Sequence, residues 1–230
     1  MTDAIDWTAA ATELDRHGCA RLSGFLEAAT CDALIGLWDD TGRFRSEVVM
    51  ARHGFGSGAY RYFAYPLPEP VAGLRGALYP PLAAIANLWA ERLGEPVRYP
   101  DDHAAFLDRC RAAGQVRPTP LLLRYEAGDW NALHQDLYGE HVFPLQVAVM
   151  LSRPEEDFTG GDFVLVEQRP RQQSRAEVVS LARGDAVIFP VRERPASGSR
   201  TWHRRAMRHG VSRLRSGLRL TLGIIFHDAR

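Results

Sequence analysis

The sequence predicts a mainly β protein with N-terminal helices, either a sandwich or a jelly-roll barrel, and three observations carry that prediction. The texture changes near residue 118, where helical spacing gives way, after Arg117-Pro-Thr-Pro120, to short runs separated by Gly, Pro and charged turns. Seven or eight such runs over roughly 110 residues, each about the usual strand length, suit a two-layered or closed antiparallel architecture. Neither a Pro/Ser-rich linker nor an internal repeat divides the chain. Residues 1–230 therefore read as one domain, with 1–117 a helical buttress and entry strand and 118–230 the jelly-roll core.

The elements follow in order. Residues 7–17 read as a helix, 18–22 as a short strand, and 28–39 as a second helix with Leu34, Leu37 and Trp38 on one face. A Gly-rich stretch from His53 to Gly58 breaks the pattern before an aromatic run from Tyr60 to Tyr65. Residues 71–93 have helical spacing, which Pro80-Pro81 is expected to reset partway, and 102–112 form one more short helix. The expected strands are 121–126, 143–152, 161–167, 177–181, 185–189, 206–212 and 218–227.

Composition narrows the function. Of 230 residues, 46% are hydrophobic and 24% charged, enough for a sizeable core and unlike disordered, collagen-like or coiled-coil chains. Basic and acidic residues balance at 28 each, so no global field marks a nucleic-acid or membrane binder. The balance is uneven: residues 163–230 hold 14 arginines against 5 acids, a net +9, which leaves −9 in residues 1–162. Every basic residue is arginine, which a GC-rich genome explains. Cys19, Cys31 and Cys110 are odd in number with no CxxC pair, which argues against a disulfide framework or a Cys-rich zinc site and suits a reducing compartment. The acidic start and the lack of a long apolar run predict a cytoplasmic protein with no membrane partner.

The strongest local signal is His134-Gln-Asp136. On a strand, residues i and i+2 share a face, so one imidazole and one carboxylate converge. Two His and one carboxylate, with positions left open, make a site for non-haem Fe(II). A third ligand must come from another strand. Of eight histidines, His17, His53 and His103 fall in the helical half, His141 follows a turn and His227 is nearly terminal, which leaves His203 and His209. His203 lies in Arg200-Thr-Trp-His-Arg-Arg205, read as a surface loop. His209 opens a strand, a turn around 215–217 and a returning strand on which Arg219, Thr221 and Gly223 share one face. Leu218, Leu220, Leu222 and Ile224 share the other, which can pack under the helices and turn Arg219 inward. A buried arginine needs a carboxylate or phosphate partner.

Taken together, His134-x-Asp136, His209 73 residues after that Asp, and Arg219 ten residues further resemble the Fe(II)/2-oxoglutarate-dependent dioxygenase superfamily. Arg16-His-Gly-Cys-Ala-Arg-Leu-Ser-Gly-Phe-Leu26, Phe158-Thr-Gly-Gly-Asp162 and Ala182-Arg-Gly-Asp-Ala-Val-Ile-Phe189 resemble, in order, its entry segment, its GG-acid turn and its Gly-Asp strand. The resemblance implies a double-stranded β-helix, a cupin-like jelly roll. It implies Fe(II) held by His134, Asp136 and His209, and 2-oxoglutarate chelating the metal with its far carboxylate on Arg219 and a hydroxyl from Thr221. Dioxygen is the oxidant, succinate the co-product, and a C–H bond is hydroxylated; Asp136 stands where the halogenating branch has a small residue.

The run Arg124-Tyr125-Glu-Ala-Gly-Asp-Trp-Asn-Ala-Leu-His134-Gln-Asp136 looks like that of the AlkB-type nucleic-acid demethylases, in which a Tyr at the place of Tyr125 touches the cosubstrate. Leu123 stands where their Asn would be, and Ile225 where their second arginine would be. The spacing from His209 to Arg219 is more similar to the prolyl-hydroxylase side. The best match is an uncharacterised bacterial family ending in His-Gly-Val-Ser … Leu-Gly-Ile-Ile-Phe-His-Asp, suspected of oxidative demethylation of damaged nucleic acid.

On the substrate side, Trp130, Asn131, Tyr138 and His141 flank the motif and are expected either to line the mouth or to serve turns and packing. The tract from Arg192 to Arg215 could grip a phosphate backbone or be a solvated face, and Gly54 to Gly58 could be a lid or a plain connection. Two other functions stay open: a hydroxylase of a small metabolite or peptide side chain, and a non-catalytic metal-binding cupin-like module, against which Arg219 argues. The oligomeric state is left open.

Overall fold

The computed structural model describes residues 4–169, 171–198 and 201–230. Four helices, α1 (Trp7–His17), α2 (Ala28–Gly36), α3 (Glu69–Arg92) and α4 (His103–Ala112), pack on one side of a two-sheet sandwich. Local chemistry sets their ends. The Asp6 carboxylate accepts from the Ala9 amide at 2.9 Å to start α1, and Asp102 does the same for Ala105 at 3.1 Å to start α4.

The strands are β1 (Ala20–Leu22), β2 (Phe44–Val49), β3 (Gly56–Ser57), β4 (Ala59–Phe63), β5 (Leu121–Glu126), β6 (Trp130–His134) and β7 (Leu145–Met150). They continue as β8 (Phe158–Gly160), β9 (Phe163–Gln168), β10 (Arg175–Val179), β11 (Ala186–Pro190), β12 (Glu193–Ser197), β13 (Trp202–Val211) and β14 (Leu214–Ile225). The larger sheet has the order β1-β11-β7-β14-β5-β4-β2, with β8 also on β14. The smaller has the order β10-β9-β13-β6-β3, with β12 also on β13. All named pairings are antiparallel, the arrangement of a jelly roll.

Alternation along β14 divides the core. Leu220, Leu222 and Ile224 face the helices and join Leu74, Leu78, Leu82 and Trp89 in one apolar cluster. Their neighbours Arg219, Thr221 and Gly223 face inward. Between the sheets lies a second apolar cluster that includes Tyr125, Met150, Phe163, Leu165, Phe189 and Met207. No described helix is long and apolar enough to cross a membrane.

Several elements differ from expectation. Besides the expected β1, the helical half contains three strands, β2, β3 and β4, so the change of texture at residue 118 is not where the sheets begin. Pro80-Pro81 does not reset α3, which runs unbroken from Glu69 to Arg92. Burial of Leu78, Tyr79, Leu82, Ala83 and Ile85 on both sides of the pair holds one axis despite two missing N–H donors. The turn after His209 falls at residues 212–213, and β14 continues through 215–217, with a register shift at Arg215, because Leu214, Ser216 and Gly217 pair with β8. His203 lies on β13 opposite Ala196 of β12, on a hairpin and not in a loop.

Candidate metal centre and its cavity

His134 is the last residue of β6, and Asp136 follows where the chain leaves the strand. His209 on β13 is the register partner of His134. Their potential ligand atoms lie within 4.8 Å of one another. His209 Nε2 is 3.1 Å from Asp136 Oδ2, His134 Nε2 is 3.6 Å from Asp136 Oδ1, and the imidazole centroids are 4.2 Å apart.

The surroundings prepare these atoms. His134 Nδ1–H donates to the Ala132 carbonyl at 2.7 Å, which leaves the Nε2 lone pair aimed at Asp136. Burial pushes the His134 pKa down, and the neighbouring His209 adds to this. Burial alone would raise the Asp136 carboxyl. The hydrogen bond and charge of His209, with His134 and Tyr138, outweigh it and hold Asp136 well below the usual carboxylate range. The Tyr138 hydroxyl donates to Asp136 Oδ1 at 2.6 Å and accepts from the Tyr62 hydroxyl at 3.1 Å. A charged carboxylate beside two imidazole nitrogens is the donor set that a divalent first-row metal takes, so these residues fit such an ion.

The triad opens on a cavity of about 390 Å³ between the sheets, lined also by Arg219 and Thr221. Arg219 is 1% exposed, and its only hydrogen bond among the described residues runs from Nη1 to Thr221 Oγ1 at 3.5 Å. Its Nε has no partner, and no described carboxylate pairs with it. The guanidinium lies over the rings of Tyr125 and Phe158, 5.4 and 6.0 Å from their centroids, and burial pushes its pKa down to about 10. Gly161 holds φ +65° beside it; a Cβ there would sit 3.1 Å from Arg219 Cδ and 2.2 Å from Leu214.

The other residues singled out from the sequence are distributed unevenly. Tyr125 is fully buried in the cavity wall, where its hydroxyl accepts from Asn131 Nδ2 at 3.3 Å. Leu123 contributes an apolar wall where an amide was absent from the motif. Tyr138 lines the cavity but is committed to Asp136. Trp130 is 44% exposed on β6 and lies outside the lining. His141 is not brought to the site; it lines a separate cleft with Trp89 and Tyr99, because the loop after Asp136 turns away toward α4. Gly54 to Gly58 is tied down by β3, which pairs with Trp130 and Asn131 of β6. Only glycine fits at Gly56, where φ is +125° and a Cβ would meet the Trp130 carbonyl at 2.3 Å.

The arginine tract is not uniform. Arg192 pairs with Glu193, Arg194 is buried against Glu167, and Arg204 bridges Glu95 and Glu193. Arg200 lies outside the described residues. Arg205, Arg208, Arg213 and Arg215 have no carboxylate partner among the described residues.

Sequence reasoning missed Tyr60, Tyr62, Phe163, Phe189 and Gln146 as lining residues. Period-two spacing within the aromatic run pointed to Tyr60 and Tyr62, and the one amide in Leu145-Gln-Val-Ala-Val-Met150 pointed to Gln146.

Comparison with known proteins agrees with this architecture. Two uncharacterized proteins from two strains of Mycobacterium tuberculosis are each 49% identical over 188 residues, 82% of this chain and 78% of theirs. A Burkholderia pseudomallei oxidoreductase of the 2OG-Fe(II) oxygenase family superposes with a TM-score of 0.60 at 16% identity, covering 98% of this chain and 94% of that one. A Pseudomonas putida prolyl-4-hydroxylase gives 0.54 at 17% identity, covering 97% and 99%. Both share the fold. The profile of the Oxygenase-NA family, described as oxygenases catalysing oxidative methylation of damaged DNA, matches residues 58–229. That span takes in the triad, Arg219 and all of the cavity wall except Gly54 and Phe55, and the chain is therefore an enzyme of this oxygenase family.

Proposed function

We propose that this protein is an Fe(II)- and 2-oxoglutarate-dependent dioxygenase that oxidises the alkyl group of a damaged nucleic-acid base. The observation that carries the reading is Arg219, a buried guanidinium in ion-pair contact with no described carboxylate, in the same cavity as the His-Asp-His cluster. An uncompensated buried charge is costly, and a dicarboxylate that meets it with one end relieves that cost. His134, Asp136 and His209 would hold the iron, which supplies a redox-active centre for dioxygen. Arg219 would take the far carboxylate of 2-oxoglutarate through its fork, Thr221 adds a hydroxyl, and Tyr125 packs beside it.

Overall, 2-oxoglutarate and dioxygen become succinate and carbon dioxide, and one oxygen atom enters a substrate C–H bond. On an N-methyl group the product is N–CH2OH, whose C–N bond breaks to release formaldehyde and restore N–H. Oxygen insertion therefore removes a methyl group and does not install one, which gives the chemical sense of the family description. The nucleic-acid substrate is supported by that description and by the four uncommitted arginines on and after β13.

Those four set the expected salt dependence. If all meet phosphates of a single strand, the affinity falls by about 50-fold between 50 and 200 mM salt. Titration of a labelled methylated single-stranded oligonucleotide at both salts, with succinate release followed in parallel, measures it. Neither salt-sensitive binding nor oligonucleotide-stimulated succinate would leave a small metabolite or peptide as the substrate.

Tyr138 is expected to act through Asp136, by fixing the rotation of its carboxylate. Tyr138→Phe should weaken Fe(II) or Co(II) binding by about 10-fold, the scale of lost outer hydrogen bonds to metal ligands. Calorimetric metal titration checks it, and unchanged affinity would reduce Tyr138 to a packing residue.

A further inference from the structure

Gln146 has no role in the chemistry described so far, yet it borders the cavity. It is 3% exposed, and its Nε2 is buried without a hydrogen-bond partner. No described residue bonds its Oε1 either. A buried carboxamide left unmatched by protein is destabilising, so the position calls for a ligand that matches it.

Register places this amide. On one side Gln146 pairs with Phe189 of β11, whose ring centroid is 4.8 Å from that of His209. On the other it pairs with Ile225 of β14, which packs with Tyr62 and Tyr138 beneath Asp136. Gln146 thus lies in the floor between the two sides of the triad. Thr221 is four residues back along β14, about 13 Å at strand rise. A dicarboxylate that reaches from the triad toward Thr221 and Arg219 runs away from Gln146, which leaves the amide for the other substrate.

Charge narrows what that substrate is. Asp136 is the only carboxylate among the described lining residues, and it belongs to the triad; Arg219 adds a positive charge. A base made cationic by ring-nitrogen methylation finds no counter-charge here. We propose that Gln146 is the specificity-determining residue for the prime substrate, and that this substrate is an uncharged N-alkylated base presenting an adjacent donor and acceptor. The proposal rests on the reading of the preceding section. The edge of N6-methyladenine fits: the carboxamide accepts from N6–H and donates to N7, while the methyl group lies on the opposite, N1 side. 1-Methyladenine, an isomer in its neutral form, takes up a proton and presents the same N6/N7 edge with a positive charge.

Short single-stranded oligonucleotides that carry either isomer, or unmodified adenine, are titrated calorimetrically into the Mn(II)-loaded full chain with 2-oxoglutarate. Wild type should prefer the N6-methyl strand over the 1-methyl strand by about 10-fold. Gln146→Met, of matched volume, should lose about 10- to 100-fold on the N6-methyl strand. Gln146→Glu, which introduces a counter-charge, should shift the preference toward the cationic isomer; thermal unfolding of both variants verifies folding. Lesion-selective binding by wild type that Gln146→Met leaves unchanged, or a wild-type preference for the cationic isomer, overturns this proposal alone. Absence of any preference by wild type for a methylated strand over the unmodified one overturns the nucleic-acid reading and this proposal with it.

Discussion

His209→Ala should abolish iron-dependent turnover and lower Fe(II) affinity by more than about 100-fold, since the loss of mere outer-shell partners already costs 10- to 100-fold. The same change should also destabilise the chelator-treated protein. Asp136 is buried and ionised against His209 Nε2 at 3.1 Å, and the alanine leaves that charge without the nearer of its two imidazole partners. Breaking a buried pair on one side costs about 3–5 kcal/mol. Asp136→Asn in the same background removes the stranded charge and should recover most of that stability while leaving turnover at zero. Urea unfolding of the three metal-free proteins measures the first effect, and succinate release the second. A His209→Ala protein with wild-type iron affinity would end the assignment of the triad.

Arg219 gives the second large effect, with opposite signs in two assays. Arg219→Met removes the fork for the far carboxylate, so 2-oxoglutarate affinity should fall by about 100-fold, the scale of a charge-assisted buried hydrogen-bond pair. The cosubstrate-free protein should become more stable, by about 1–4 kcal/mol, because a buried charge that lacks a partner is replaced by an apolar chain of similar volume. Wild type should gain thermal stability on addition of 2-oxoglutarate, and Arg219→Met should not. Unchanged cosubstrate affinity in the variant would remove Arg219 from the site.

The His-x-Asp spacing singled out His134 and Asp136, although Asp136 lies just beyond the end of β6, and the resemblance to the dioxygenase superfamily chose His209 where the residues alone left His203 open as well. The inward turn of Arg219 was legible from strand periodicity, since the alternating apolar residues from Leu218 to Ile224 were expected to face the helices. Leu218, at 36% exposure, is the one that does not. Strands β2 to β4 were not legible, because they are short, carry arginine and glycine, and take their order from pairing with β5 and β6. Tyr60 and Tyr62 on β4, and Gln146 on β7, carried a local signal in period-two spacing and a lone amide, but only non-local pairing brings them to one cavity. Proline rules failed in α3, where burial along the whole helix outweighs two lost hydrogen bonds. His141 followed the motif in sequence but not in space, since the loop after Asp136 leaves the cavity within a few residues.

The last strand in chain order, β14, occupies the middle of the larger sheet, between β5 and β7. Until it is inserted, the sheet exists as two separate pieces, β1-β11-β7 and β5-β4-β2, each with an unsatisfied edge. A growing chain therefore cannot assemble the Arg219 end of the cavity before residues 214–225 have left the ribosome. During that interval the exposed edges of β5 and β7 can pair with one another or with neighbouring chains. Catalytic competence and escape from aggregation thus arrive in the same event, the docking of one strand.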